Sequence, residues 1–150
     1  IFKELSVRQN LTIALQHHVE PQHLSEEIDK LLEFLKLSAS EKQLAGNLSH
    51  GQKQWLEIGM AIALKPNLLL LDEPTAGMTP DETHATGEML QDLNRNGMTL
   101  LAVEHDMAFV RQIAKQVTVL HFGKIFAQGT IDEIISDERV AAIYLGEVDA

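Results

Sequence analysis

The chain has 150 residues, 45% of them hydrophobic, which is enough for one domain with a real core and too apolar for a disordered segment. A formal net charge of -10 argues against nucleic acid as the main partner, because a phosphate backbone requires clustered Lys and Arg. The absence of cysteine excludes disulfides and thiolate metal sites, and no apolar run reaches the roughly 18 residues of a membrane span, so any membrane association is expected to run through a partner.

The elements follow in chain order. Ser6-Val7-Arg8-Gln9 has the form of a capping box, in which side chains satisfy the free N–H groups of a helix start, and a helix is expected over residues 7–17. His17, His18 and His23 lie close together, but Pro21 interrupts them and no acid completes a shell, so no metal site is expected. Ser25 is expected to cap a second helix with Ile28, Leu31, Leu32 and Leu35 as its buried stripe. Ser49-His50-Gly51-Gln52 repeats the capping form and opens a helix carrying Ile58, Ile62 and Leu64, which Pro66 should end.

Leu68-Leu69-Leu70-Leu71-Asp72-Glu73-Pro74-Thr75 comes next. A run of leucines reads as a short strand buried on both faces, as in a parallel sheet covered by helices. Ligands of open α/β sheets sit at the carboxyl ends of strands, where Asp72 and Glu73 stand. In an extended chain these neighbours point in opposite directions, so they are expected to have different tasks. Thr79-Pro80-Asp81-Glu82 starts another helix, which should end at Asn96-Gly97. Thr99-Leu100-Leu101-Ala102-Val103 reads as a second buried strand, and a helix through Phe109, Val110 and Ile113 follows. Residues 117–120 and 125–127 flank Phe122-Gly123-Lys124 as a hairpin. Thr130 caps a short helix, and Ser136 is expected to cap a last one through Tyr144. The order is helices first, then a βαβ unit, then a hairpin.

Leu48-Ser49-His50-Gly51-Gln52, the Leu68–Thr75 stretch and Glu104-His105-Asp106, in that order, resemble the signature, Walker B and switch-histidine motifs of ABC-type ATPase domains. The resemblance covers nearly the whole chain. It is strongest to ATP-binding subunits of urea importers, then to those for branched-chain amino acids, with His50 standing where most ABC proteins carry glycine. It implies an α/β fold of the P-loop NTPase type, with residues 1–65 as a helical subdomain and residues 66–150 as the C-terminal part of a RecA-like core. No G-x-x-x-x-G-K-[ST] phosphate loop occurs in these residues, and Ile1 rather than Met heads them. The sequence is therefore expected to begin inside a longer gene product whose phosphate loop and glutamine loop precede Ile1.

The roles implied by the resemblance follow residue by residue. Asp72 helps hold Mg²⁺, usually through water, Glu73 polarises the water that attacks the γ-phosphate, and His105 bonds that phosphate. Ser49, His50, Gly51 and Gln52 contact ATP held mainly by a second ATP-binding subunit. Local chemistry alone would explain them as a helix cap, and the same geometry makes an anion site. Gly77 and Met78 belong to the D-loop, in which Thr79 either signals between sites or only caps its helix. Trp55 is expected in the core or at a subdomain interface. The implied partners are a second ATP-binding subunit and integral membrane permease subunits, at the cytoplasmic face of the inner (plasma) membrane, with no nucleic acid. The implied activity is ATP hydrolysis that powers uptake of urea or branched-chain amino acids. One rival is a chromosome-maintenance ATPase head, which would need coiled-coil heptads and a basic surface. The other is a catalytically silent module for dimerisation or regulation, and these residues alone are expected not to hydrolyse ATP.

Overall fold

The structure is a computed structural model, and it describes residues 1–144. Three helices come first: α1 (Val7–Leu15), α2 (Leu24–Phe34) and α3 (His50–Ile62). A βαβ unit follows, made of β1 (Leu68–Asp72), α4 (Pro80–Arg95) and β2 (Thr99–Val103). The remaining elements are α5 (Met107–Ile113), the hairpin strands β3 (Val117–His121) and β4 (Lys124–Gly129), α6 (Ile131–Ser136) and α7 (Glu138–Tyr144). Two compact units divide the chain, Ile1–Glu104 and the part from His105 onward.

In the first unit, Val7 and Leu11 of α1, Leu32 of α2, Leu35 and Leu37 just beyond it, and Leu56 of α3 are almost wholly buried. The Ser6 box forms as expected, the Gln9 N–H donating to Ser6 Oγ at 3.1 Å and the Ser6 N–H to Gln9 Oε1 at 2.8 Å. Asn10 is the buried polar member of α1. Its Oδ1 accepts from the Phe2 N–H at 2.8 Å and its Nδ2 donates to the Phe2 carbonyl at 3.0 Å, which fastens the first turn to the helix. Arg8 reaches Glu41 at 2.8 Å and Asp29, joining α1 to α2 and to the segment between α2 and α3.

Several expected boundaries move. α1 stops at Leu15, and the chain beyond it tightens into a turn in which the His18 N–H donates to the Leu15 carbonyl three residues back, at 2.8 Å. α2 begins at Leu24 with His23 at its N-cap and no side-chain cap, so Ser25 lies inside the helix. α3 ends at Ile62, and Lys65 takes a left-handed φ of 51°, so the helix stops before Pro66 and Leu64 lies outside it, exposed. At the last helix, Ser136 belongs to α6, and Asp137 Oδ1 accepts the Arg139 N–H at 2.9 Å at the start of α7.

β1 and β2 pair in parallel, from Leu68 opposite Thr99 to Asp72 opposite Val103. The expectation that both strands are buried on two faces is corrected. Leu69 and Leu71 are buried, whereas Leu68, Leu70, Leu101 and Val103 are exposed, so this pair is covered on one face only. β3 and β4 pair antiparallel through Phe122 and Gly123, whose φ values of 45° and 73° match the left-handed pair of a tight hairpin turn.

Candidate functional site

At the carboxyl end of β1, Asp72 closes the strand and is exposed. The next residue leaves the extended region. Glu73 has φ 44°, a conformation that costs a side-chain-bearing residue free energy, and the following Pro74 would ordinarily push it toward extended backbone. Its N–H donates to the Val103 carbonyl at 2.9 Å and its carbonyl accepts from the Ala76 N–H at 3.1 Å, so the turn is fixed from both sides. Glu73 is not in an extended segment, so strand alternation does not set its direction relative to Asp72.

Glu104, to which the sequence reading gave no separate task, holds this turn in place. Its Oε1 accepts both the Thr75 N–H, at 3.1 Å, and the Thr75 hydroxyl, at 2.6 Å, tying the end of β2 to the segment after Pro74. The available signal was positional: in a parallel pair, acids that end adjacent strands stand at the same sheet edge. Thr75 and Pro74 are buried, while Asp72 and Glu73 remain open to solvent.

A second cluster forms where α3 and α4 begin. Ser49 caps α3, its Oγ accepting from the Gln52 N–H at 3.1 Å while the Ser49 N–H donates to Gln52 Oε1 at 3.1 Å. Thr79 caps α4 in the same way with Glu82, the Thr79 N–H donating to Glu82 Oε2 at 3.0 Å. The two starts touch: the Ser49 hydroxyl donates to Glu82 Oε1 at 3.1 Å. Gly77, with φ 69°, runs beside the His50 ring, which would lie 3.4 Å from a Cβ built at that glycine. Ser49 and His50 are exposed, Gly51 is buried, and Gln52 and Met78 are half-buried. Behind them Trp55 is buried, and its Nε1 donates to Thr86 Oγ1 at 2.8 Å inside the α3–α4 contact.

The Glu82 carboxyl is held below its ordinary range, first by the Thr79 backbone N–H and then by the hydroxyls of Thr79 and Ser49, with His50 adding to them. It therefore stays ionised at neutral pH beside two helix N-termini, where negative charge is favourable.

His105 is the first residue of the second unit and is exposed. Asp106 next to it caps α5, its Oδ1 accepting the Ala108 and Phe109 N–H groups at 2.9 and 3.1 Å. The first unit thus brings Ser49, His50 and Gly51 together with Gly77, and ties the segment after Asp72 and Glu73 to Glu104. An exposed carboxylate pair at a parallel strand end, and a glycine-containing helix start with a hydroxyl, have the donor chemistry that suits a hard cation and an anion respectively.

The family model described as "ABC transporter" matches residues 1–76. Among curated proteins, the chain is 33% identical over 149 residues to the lipopolysaccharide export system ATP-binding protein LptB of Haemophilus influenzae, covering 98% of the chain and 62% of that protein. It is 32% identical over 164 residues to the high-affinity branched-chain amino acid transport ATP-binding protein LivG of Salmonella typhimurium, covering 98% and 64%. A methionine import ATP-binding protein of Corynebacterium jeikeium is 37% identical over 141 residues, covering 93% of the chain and 38% of that protein. Among solved structures, the ADP conformation of an ATP-binding cassette of an ABC transporter superposes with a TM-score of 0.80 at 34% identity, covering 97% of this chain and 64% of that one. The chain therefore spans less than two thirds of the length of each of these relatives.

Proposed function

The chain belongs to the ABC transporter family, and on that premise we propose that it forms part of a subunit that binds and hydrolyses ATP to drive transport through a membrane permease. The observation that carries this reading is the turn after β1. Glu73 is held at φ 44° directly after an exposed Asp72, at the carboxyl end of a parallel strand pair, and strain of this kind persists only where surrounding bonds impose it.

Phosphoryl transfer depends mostly on positioning and charge neutralisation. Asp72 fits the role of an Mg²⁺ carboxylate, since it is exposed at the sheet edge and Mg²⁺ favours one or two carboxylates together with water and phosphate oxygens. When bound, the ion would supply neutralisation of phosphate charge. Glu73 orients and polarises the attacking water, and His105 bonds the γ-phosphate. Ser49, His50, Gly51 and Gln52 face nucleotide held by a second ATP-binding subunit, with Gly77 and Met78 of the D-loop beside them. In this reading residues 1–65 act as the helical subdomain and the later residues as part of the α/β core.

The partners proposed are a second copy or a related ATP-binding subunit and integral permease subunits. The subunit would be peripheral, at the cytoplasmic face of the inner membrane. No described helix is long and apolar enough to cross a membrane. For cargo, the proposal is urea or a branched-chain amino acid. His50 in the signature stretch and Thr79 in the D-loop support it, as does the branched-chain amino acid relative. Transport competition with urea, leucine and methionine in cells carrying the intact transporter separates these cargoes from that of the methionine import relatives.

The central test is Glu73→Gln in the intact subunit. ATP binding should persist while turnover falls nearly to zero, because the amide keeps the shape and loses the charge that orients water. ATPase activity close to that of the unaltered subunit removes Glu73 from this role.

A further inference from the structure

Glu82 is shared between two helix starts, and that sharing is more than a cap requires. Its Oε2 completes the α4 cap with the Thr79 N–H and hydroxyl, at 3.0 and 3.1 Å. Its Oε1 takes the Ser49 hydroxyl of α3 at 3.1 Å. A Cβ on Gly51 would lie 2.7 Å from that same oxygen, so only a residue without a side chain lets the carboxylate sit against the first turn of α3. The chain contains its own comparison. At α6, Thr130 and Glu133 make the same reciprocal box, with the Thr130 N–H donating to Glu133 Oε2 at 2.7 Å. There the carboxyl is held below its ordinary range by the Thr130 N–H and hydroxyl, and among the described residues no serine of another helix joins them.

Resting on the reading of Ser49 and Gly51 as facing phosphate, we propose that Glu82 is a positioning residue that acts through Ser49 as a brake on that contact. A serine hydroxyl has a single proton to donate. While Glu82 holds it, the hydroxyl cannot donate to a phosphate oxygen, and the ionised carboxylate repels the incoming anion. Phosphate engages Ser49 only by displacing Glu82. The same carboxylate anchors Thr79, so the exchange is transmitted to the Gly77–Thr79 loop, where the His50 ring already lies against Gly77. Glu82 thereby couples occupation of the signature to the state of the D-loop.

The experiment titrates Mg-ATP against association of the intact subunit, read by light scattering, with folded fraction matched by denaturant unfolding. The variants are Glu82→Gln, Ser49→Ala, the two combined, and Glu133→Gln. Glutamine also completes a capping box, so Glu82→Gln keeps the helix start while removing the charge. It should lower the Mg-ATP concentration for half-maximal association by roughly tenfold, the scale of one charge-assisted hydrogen bond. Glu133→Gln, which alters the matching box at α6, should leave that concentration unchanged. In the Ser49→Ala background the Glu82→Gln shift should shrink to less than about twofold, because the group through which Glu82 acts is gone. An unaltered subunit that fails to associate with Mg-ATP overturns the phosphate reading and the brake together. If the unaltered subunit associates and Glu82→Gln needs as much Mg-ATP or more, the brake alone is overturned. A full shift persisting without Ser49 overturns the route through that hydroxyl.

Discussion

The helical segment and the strand pair, although both belong to the first unit, differ in how completely they cover themselves. α1, α2 and α3 bury Val7, Leu11, Leu32 and Leu56 against one another, and Leu35 and Leu37 beyond α2 are as deeply buried. β1 and β2 hide Leu69 and Leu71 but leave Leu70, Leu101 and Val103 about 60% exposed, with Leu70 directly opposite Leu101. The difference follows from periodicity. An amphipathic helix presents one stripe, and here the partners for each stripe lie within a few dozen residues of sequence. A parallel strand has two faces, and the second needs a layer drawn from elsewhere.

The comparison breaks most sharply at Leu56. If the helices form a closed core, Leu56→Ala should cost about 2–5 kcal/mol in urea unfolding, the range for a large-to-small change at a wholly buried site. A loss below about 1 kcal/mol would mean that the helical core is not the rigid part of the unit.

A smaller effect is expected where α3 passes the end of α2. A Cβ at Gly59 would lie 2.2 Å from Leu35 Cδ1, so Gly59→Ala should destabilise by about 1–3 kcal/mol despite the better helix propensity of alanine. Leu35→Ala in the same chain should recover part of that penalty. Additive losses in the double variant would place the clash elsewhere.

The smallest effect belongs to the open sheet face. Leu70→Thr should change unfolding stability by no more than about 0.5 kcal/mol, since the side chain has little burial to lose and threonine suits a strand. It should also reduce light scattering from concentrated solutions, because it interrupts a contiguous apolar strip. A stability loss as large as that of Leu56→Ala would show that this face is covered in solution.

What the sequence determined by itself was local. The boxes at Ser6, Ser49, Thr79 and Thr130 each need only a hydroxyl and an acid or amide three residues later, and all form with both reciprocal bonds. The Asn96-Gly97 stop and the Phe122-Gly123 turn are equally local, because left-handed backbone at Gly97 and Gly123 is inexpensive. The motif order also made the family and its α/β fold legible, since both reside in short runs of residues. Tertiary structure alone decided what depends on partners distant in sequence. Glu104 reaches Thr75 across 29 positions, Glu82 reaches Ser49 across 33, and the N–H of Glu73, at positive φ, is held by a carbonyl on the neighbouring strand. The uncovered face of the leucine strand belongs with these, because a hydrophobic run states that a residue favours burial and only the packed fold determines what arrives to bury it.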